Sequence, residues 1–295
     1  MQNTNMDRIT KTRSEISQLR NEAAASYSRL FMDMTRDWNL QDISDRAWLM
    51  YSANYLFRTA GVRWAMDPLL LHRRVPETPA VNLNQAFQKL DFVVLTHNHV
   101  DHLDYDMLQT LQHLPIQWVI PEFMLPQLMV KIALSKTQIT VPRPLEPFEI
   151  RGIRFFPMEG HHFEKSPVGE RLPRGVPSMA YIAEFNGKRW FFPGDTRNYQ
   201  ALFSPSPGHL DGMFAHLWLG RGCALMDDPP LLEEFCRFCS NLKPSRIILT
   251  HLDEFGRDED DTWGLRHVQM VLTHLAQAEP QTQILAARMG ECVIL

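Results

Sequence analysis

The hydrophobic pattern of residues 12–38 predicts a helix. Apolar side chains recur there at three- and four-residue spacing, which places them along a single helix face. They are Ile16, Leu19, Ala23, Tyr27, Leu30, Phe31, Met34 and Trp38. Basic and acidic residues alternate on the opposite face, so we expect this helix to dock on its own domain or on a second subunit, and a homo-oligomer is one expectation. We predict a helical extension over residues 1–45 and a main domain over 46–295.

Beyond this extension the pattern changes to short apolar runs separated by Gly, Pro and Asn, which is typical of strands. Residues 48–68 predict two strands joined near Gly61. Residues 181–195 predict a hairpin with Asn186-Gly187 at its turn, because this dipeptide readily supplies two positive φ angles.

Helical spacing returns between these strands, which makes the chain a mixed α/β protein. The predicted helices cover residues 105–114, 122–134, 229–241 and 262–278. Residues 164–177 are rich in Pro, Gly and charge and predict a mobile loop between two strands.

Apolar segments in this α/β region repeatedly run into a histidine or an aspartate. The residues at these five ends are Asp67, His97, His161, Asp195 and His251. Because strand ends in a layered α/β fold gather at one edge of the sheets, we expect these side chains to converge. These side chains would then form one polar site from distant parts of the chain.

The densest polar stretch is LTHNHVDHLD at residues 95–104. His97 and His99 are two residues apart, so on an extended chain both imidazoles leave the same face and can share one ion. Asp101 and His102 follow where the chain must turn, so they can serve a second ion. Imidazole and carboxylate without thiolate suit Zn, Mn or Fe. The stretch therefore predicts part of a dinuclear metal site.

The alternative for this stretch is an unrelated surface cluster. Burying three imidazoles and a carboxylate without a metal would cost about 1–3 kcal/mol for each unsatisfied group, which favours the metal site. Asp67 and Asp195 taken singly could be turn or cap residues. Only their positions at strand ends make them candidates for the site. Isolated histidines are interpreted as hydrogen-bonded or surface residues: His72, His113, His209, His267 and His274.

Composition narrows the function classes only slightly. The chain of 295 residues has 30 Lys plus Arg and 34 Asp plus Glu, a net charge of −4, and no basic block that would indicate nucleic acid binding. It has no apolar run of the roughly 18 residues that a membrane span needs. Without an apolar leader segment, we expect a cytoplasmic protein with reduced thiols.

Cys236 and Cys239 form a lone CxxC in a helical stretch, which indicates buried thiols rather than a zinc site.

The motif THNHVDHLD resembles the signature of the metallo-β-lactamase superfamily, and the other strand ends fall in that family's order over about residues 47–256. The resemblance implies an α/β fold, namely a four-layer αββα sandwich. It also implies two divalent metal ions at one edge of that sandwich, which are Zn or alternatively Mn or Fe. It implies that Asp67 orients a ligand histidine through its second ring nitrogen. The ligands it implies are His97, His99 and His161 for one ion, Asp101, His102 and His251 for the other, and Asp195 bridging both. His162 adjoins His161 and is the alternative third-motif ligand.

Two details resemble one branch of that superfamily most closely. Asp104, which we do not expect to touch metal, and HLDEF at residues 251–255 resemble the branch of ascorbate-6-phosphate lactonase and N-acylphosphatidylethanolamine-hydrolysing phospholipase D. That branch implies hydrolysis of phosphodiesters, phosphorylated lactones or related esters. The chain departs from it where YSANYLF replaces a Gly-His pair and HLWLGRG replaces a PxGxY-like segment. These departures concern the substrate and leave the implied metal ligands intact.

The leading hypothesis is a metal-dependent hydrolase. Two cations that share a water lower its pKa from about 15.7 toward about 7, so a metal-bridging hydroxide would attack a phosphorus or carbonyl centre. Asp101 would help to orient that hydroxide. Arg197 and Arg221 are candidates for gripping the anionic group of a small-molecule or lipid-like substrate, with solvated surface arginines as the alternative.

Two further hypotheses belong to other classes. The first is a metal-binding scaffold of the same fold that acts through partner or subunit contacts without turnover, against which the intact ligand set argues. The second is redox chemistry at a di-iron site with a flavin partner. No flavodoxin-like segment follows the domain and the first motif carries no Glu, which disfavours that use.

Overall fold

The computed structural model describes residues 2–165, 174–204, 206–278 and 281–295. Most of the loop expected at 164–177 lies outside these residues. The described strands are β1 (Arg46–Leu49), β2 (Tyr55–Thr59), β3 (Val62–Met66), β4 (Phe92–Val94), β5 (Gln117–Val119), β6 (Ile139–Thr140), β7 (Phe148–Ile150), β8 (Ile153–Glu159), β9 (Met179–Phe185), β10 (Lys188–Phe192), β11 (Gly212–His216), β12 (Arg246–Thr250), β13 (Gln283–Ala286) and β14 (Cys292–Ile294). The described helices are α1 (Gln2–Asn39), α2 (Leu71–Arg74), α3 (Leu83–Ala86), α4 (Tyr105–Leu111), α5 (Leu125–Lys131), α6 (Leu232–Leu242) and α7 (Leu265–Ala278).

The strands form two seven-stranded sheets of mixed direction. The first has the order β14-β1-β2-β3-β4-β5-β6, and its strands are parallel from β3 to β6. The second has the order β13-β12-β11-β10-β9-β8-β7, and its strands are parallel from β13 to β10. The remaining neighbours in both sheets are antiparallel.

Three apolar cores separate four layers. The central core lies between the sheets and is rich in aromatic rings, with Phe57 stacked on Trp64 at 3.9 Å between centroids and Phe155 from the second sheet edge-on to Trp64. The first sheet carries helices α1 to α5 on its outer side, and the second carries α6 and α7. This arrangement confirms the expected four-layer αββα sandwich.

Helix α1 docks on its own chain. Tyr27, Phe31 and Trp38 are almost fully buried in the outer core of the first sheet. The indole nitrogen of Trp38 also donates a hydrogen bond of 2.8 Å to the backbone oxygen of Phe57 in β2. Leu19 nearer the start of the helix remains 43% exposed, so the apolar face is covered only toward its end. The domain boundary at residue 45 and a homo-oligomeric state stay predictions.

The other predicted elements are present with shifted ends. Helices α4 to α7 lie within the four predicted stretches, apart from the last residue of α6, and α5 begins late because Glu122–Met124 forms a 3-10 turn. Asn186 and Gly187 join β9 to β10 with φ angles of 49° and 74°. Residues 48–68 hold β2 and β3 as expected and also the end of β1.

All four cysteines are free thiols, and Cys236 and Cys239 are buried on α6, as expected for residues that pack. Among the isolated histidines, His267 is buried and hydrogen-bonded, whereas His209 is exposed. Within the described parts of the chain, no helix has the length and apolar character needed to cross a membrane.

The strand directions bring several strand ends to one edge. Because β3 and β4 are parallel, their carboxyl ends lie together, and the same holds for β10, β11 and β12. Strand β8 is antiparallel to β9, which is antiparallel to β10, so β8 ends there too. A backbone hydrogen bond of 3.0 Å from Met179 to Thr96 joins the two sheets at this edge.

Candidate metal centre

The segment after β4 turns sharply and supplies four of the polar side chains. The backbone amides of His102 and Leu103 both donate to the carbonyl of His99, which closes the turn. Asp104 then caps α4 by accepting from the amide of Met107 at 3.1 Å, and it also accepts from the amide of Leu70 at 3.3 Å. Asp104 therefore fixes the turn that presents the histidines, and burial raises the pKa of its carboxyl.

A first group of potential ligands combines His97, His99, His162 and Asp195, whose ligand atoms all lie within 4.8 Å of one another. Nε2 of His162 lies 3.2 Å from Nδ1 of His99 and 3.9 Å from Oδ2 of Asp195. Nε2 of His97 lies 3.8 Å from the same carboxylate oxygen. Three imidazoles and one carboxylate thus surround a common point.

Of the adjacent pair, the sequence favoured His161 as the ligand, whereas the structure groups His162 with the other candidate ligands. Successive residues of an extended chain point to opposite sides, so only one of the pair can face the cluster. The ring of His161 packs instead against Phe203, with 4.2 Å between ring centroids. We therefore take His162 as the candidate ligand of the third motif.

A second group combines Asp101, His102, Asp195 and His251, again within 4.8 Å. Nε2 of His251 lies 3.4 Å from Oδ2 of Asp101 and 3.7 Å from Oδ2 of Asp195. Nε2 of His102 lies 3.2 Å from Oδ1 of Asp195. Asp195 belongs to both groups, so the arrangement suits two ions joined by one carboxylate.

Asp67 sits behind the histidines. Its Oδ2 lies 2.9 Å from Nδ1 of His102, which leaves Nε2 of that ring facing Asp195. Thr96 donates to the same carboxylate from its amide and its hydroxyl, and the Thr96 hydroxyl also lies 2.9 Å from Nδ1 of His97. The carboxylate of Asp67 thus contacts the ring of His102 directly and that of His97 through Thr96, and contacts of this kind strengthen metal binding in proteins. A third possible group of Asp67, His97 and His102 uses the same side chains.

Two site residues adopt a left-handed backbone conformation. Asp67 has φ of 45° and His251 has φ of 65°, in a region that costs most non-glycine residues free energy. The amide of His251 is held by the carbonyl of Ser52 at 2.7 Å, and that of Asp67 by the carbonyl of Val94 at 2.9 Å. These backbone hydrogen bonds offset the cost of the left-handed conformation, which directs both side chains toward the site.

Two residues at the site were missed by the sequence analysis. His216 ends β11, and its Nδ1 lies 2.9 Å from Oδ1 of Asp195. The run GMFAH is an apolar segment that ends in a histidine, as three of the five recognised strand ends are, so a signal was present. Arg257 donates from Nη2 to Oδ2 of Asp101 at 2.6 Å. It lies in a loop beyond His251, and no local pattern marks it.

Burial keeps the imidazoles of His97, His99 and His162 neutral. It lowers the pKa of His99 to about 4 and that of His162 to about 3. For His102 burial acts in the same direction, but the carboxylates of Asp195 and Asp67 outweigh it and raise the pKa of that ring well above its usual value. Although burial raises the pKa of Asp195, the neighbouring histidines, first among them His251, hold it well below its usual range. For Asp101, likewise, the Arg257 guanidinium outweighs burial and lowers the pKa. Neutral imidazole and ionised carboxylate are the forms that bind metal.

Unsatisfied atoms indicate that these residues fit divalent metal ions. Nε2 of His97 and Oδ2 of Asp195 are buried and have no hydrogen-bond partner. A buried polar atom without a partner costs about 1–3 kcal/mol, and metal coordination would remove that cost. Nitrogen and oxygen donors without sulfur suit Zn, Mn or Fe.

The site opens into a groove of about 420 Å³ lined partly by arginines. Arg197 is 8% exposed and lies over Trp218, with 4.6 Å from its guanidinium carbon to the ring centroid. Arg221 lies over the same ring at 5.8 Å. Both donate to one carboxylate oxygen of Glu164, at 3.1 Å from Arg197. Arg197 and Arg221, predicted as candidates for anion binding, thus form a pair beside the candidate metal ligands.

The family model described as Beta-lactamase superfamily domain matches residues 64–252, more than half of the chain and all of the ligand groups. The chain belongs to the beta-lactamase superfamily. Members of this superfamily generally bind two metal ions, in agreement with the two ligand groups around Asp195. The match identifies the superfamily and distinguishes no branch within it.

Solved structures of the beta-lactamase superfamily fold resemble this chain at low sequence identity. Igni18, a metallo hydrolase from the hyperthermophilic archaeon Ignicoccus hospitalis, aligns with a TM-score of 0.60 and 16% identity over 85% of this chain and 98% of that chain. Isothiocyanate hydrolase from Delia radicum gut bacteria has a TM-score of 0.58 and 16% identity, with coverage of 85% and 99%.

A third structure combines this fold with a different reaction. CmlA, a diiron beta-hydroxylase from Streptomyces venezuelae, has a TM-score of 0.56 and 13% identity over 86% of this chain and 55% of that chain. Identities this low establish the shared fold alone. The sequence comparison with curated proteins gave no match.

Proposed function

We propose that this protein is a dinuclear metal-dependent hydrolase of an anionic phosphodiester, phosphorylated lactone or related ester. The observation that carries the proposal is the pair of ligand groups that share Asp195 beneath a groove containing four arginines. The four are Arg74, Arg197, Arg221 and Arg257. Guanidinium groups match phosphate and carboxylate geometry, which favours an anionic substrate.

The residues proposed to hold the two ions are the two groups around Asp195, with His162 in place of the expected His161. Bound divalent ions would lower the pKa of a coordinated water and polarise the substrate oxygen. Burial of His99 and His162 supports the first group, since it keeps both imidazoles neutral for metal binding near pH 7.

Asp101 is the residue to which we assign orientation of the attacking water. Its carboxylate is ionised in the metal-free protein, where the Arg257 guanidinium holds its pKa well below the usual range, and an ionised carboxylate can accept a hydrogen bond from that water. Asp101 lines the groove and also belongs to the second ligand group, which supports this assignment.

Arg197 and Arg221 are assigned to substrate binding. The Glu164 carboxylate that bridges them occupies the position that a substrate phosphate or carboxylate would take. Trp218 supports both guanidinium groups from one side. An anionic substrate would therefore compete with Glu164 for a preformed pair of arginines.

The substrate classes rest on the resemblance of Asp104 and residues 251–255 to the lactonase and phospholipase D branch. The fold shared with isothiocyanate hydrolase adds isothiocyanates to the compounds worth testing. A suitable panel contains phosphodiesters, phosphorylated lactones, thioesters and isothiocyanates, offered to protein loaded separately with Zn²⁺, Mn²⁺ and Fe²⁺.

The decisive experiment combines metal content with turnover. Wild-type protein should bind two ions and hydrolyse a member of the panel, whereas Asp195→Ala and His99→Ala should lose bound metal and activity together. The exposed His209 offers a matched control, and His209→Ala should retain both. Near-normal metal content in Asp195→Ala would contradict the site assignment.

Two outcomes would favour the other functions. Full metal loading with no turnover of any panel compound would favour a metal-binding scaffold. Native protein that contains two iron ions and oxidises a substrate would favour redox chemistry, an outcome worth testing because CmlA shares the fold.

A further inference from the structure

The guanidinium of Arg257 lies against two side chains of the second ligand group. Its Nη2 donates to Oδ2 of Asp101 at 2.6 Å and lies 3.3 Å from Nε2 of His251. These carboxylate and imidazole atoms also lie close to each other, 3.4 Å apart. A side-chain cation therefore already contacts the atoms that a second metal ion would need.

A buried network holds Arg257 in this position. Glu254 is 1% exposed, and its Oε2 lies 3.4 Å from Nε of Arg257. Arg74 donates to both oxygens of Glu254, at 2.9 Å and 3.0 Å, and the Tyr51 hydroxyl donates to Oε1 at 2.9 Å. Because Arg74, Tyr51 and Arg257 all contact the Glu254 carboxylate, that carboxylate is held in place. It in turn holds the Arg257 side chain at the site.

The contacts of Arg257 are specific for one of the two ligand groups. Among the described residues its side-chain hydrogen bonds go to Asp101 and His251, and its ion pairs go to Asp101 and Glu254. Asp101 and His251 belong to the second group only. A positive charge at this distance opposes the approach of a divalent ion, and the hydrogen bond to Asp101 must break before that oxygen can bind metal.

We propose that Arg257 competes with the second metal ion for Asp101 and His251, so that the two ligand groups fill in a fixed order. The group of His97, His99, His162 and Asp195 fills first. The second group fills only when Arg257 is displaced. This inference rests on the metal centre of the proposed function and concerns how that centre is loaded.

The test is a titration of metal-free protein with Zn²⁺ in the presence of a competing chelator. Wild-type protein should bind one ion tightly and a second at least about tenfold more weakly. Arg257→Gln should raise the affinity for the second ion at least about tenfold and leave the first unchanged. Arg221→Gln removes a charge from the same groove without touching Asp101, and it should keep both wild-type affinities.

Two results would overturn the inference. One is equal affinity for the two ions in wild-type protein, and the other is an unchanged gap between the two affinities in Arg257→Gln. If Arg257→Gln does not fold, Arg257→Met removes the same charge while keeping the aliphatic stem, and it should give the same gain. A wild-type protein that binds no divalent ion would overturn the proposed function as well, which separates the two failures.

Discussion

His216 donates from Nδ1 to Oδ1 of Asp195 at 2.9 Å, and it thereby fixes the carboxylate that both ligand groups share. Both side chains are buried, at 5% and 3% exposure. Nε2 of His216 lies 3.5 Å from the hydroxyl of Tyr55, so the ring is held at both nitrogens. Asp195 is therefore positioned by a residue that is itself outside both groups.

Removing this contact should weaken metal binding without removing a ligand. We expect His216→Ala to lower the affinity for divalent metal by about 10–100-fold, because carboxylates oriented by a hydrogen bond bind metal more tightly than unsupported ones. Chelator competition with Zn²⁺ measures the change. His216→Asn keeps a donor near the position of Nδ1 and should restore part of the affinity. Wild-type affinity in His216→Ala would contradict the positioning role.

The adjacent histidines give a direct test of the third-motif ligand. His162→Ala should lose metal, since His162 lies with His97, His99 and Asp195, whereas His161→Ala should keep it. Metal content measured by elemental analysis of the two purified variants decides between them. Loss of metal in His161→Ala alone would restore the original expectation.

Helix α1 should contribute strongly to the stability of the whole domain. Phe31 is 1% exposed and packs between Tyr27 and Phe87, so Phe31→Ala should lower the free energy of unfolding by roughly 3–5 kcal/mol. Met32 is 61% exposed on the same helix, and Met32→Ala should change that free energy by less than about 0.5 kcal/mol. Denaturant unfolding monitored by circular dichroism compares the two variants.

If Phe31→Ala lowers the free energy of unfolding no more than Met32→Ala does, α1 is an appendage whose packing does not stabilise the main domain. A much larger decrease for Phe31→Ala would instead show that α1 and the main domain unfold as one cooperative unit. The boundary predicted at residue 45 would then lie inside a single folded domain.

His267 should make the stability of the metal-free protein depend on pH. Its Nδ1 accepts from the amide of Gly264 at 3.0 Å and its Nε2 donates to the carbonyl of Ala224 at 2.7 Å, so the fold specifies a neutral ring. Burial lowers its pKa below the usual value of about 6.5. The unfolded chain then binds the proton more readily, so this contribution is complete above about pH 6.5 and is lost as the pH falls below it.

The comparison that isolates this effect uses His267→Gln. Both metal-free proteins should be unfolded by denaturant at several pH values between about 7 and 5, and the wild type should lose stability more steeply because it alone carries the His267 contribution. Parallel loss of stability in the two proteins would assign the pH dependence to the other buried histidines.

The sequence by itself determined the general architecture and the types of side chain present at the candidate site. Histidines and aspartates at the ends of apolar runs predicted a site at one sheet edge, and parallel strands place those ends together in the structure. The Asn186-Gly187 turn and helices α4 to α7 followed from local spacing, because turn dihedrals and helical periodicity are properties of neighbouring residues. The resemblance carried by residues 95–104 predicted the fold that the superfamily match confirms.

Only the tertiary structure decided which side chains meet. His161 and His162 are adjacent in sequence, and the direction in which the chain leaves β8 places one of them beside Asp195 and the other beside Phe203. Arg257 reaches Asp101 across 156 positions of sequence, a contact that no local pattern can encode. Side-chain direction and long-range proximity depend on how the two sheets pack, and they are fixed only when the whole chain is folded.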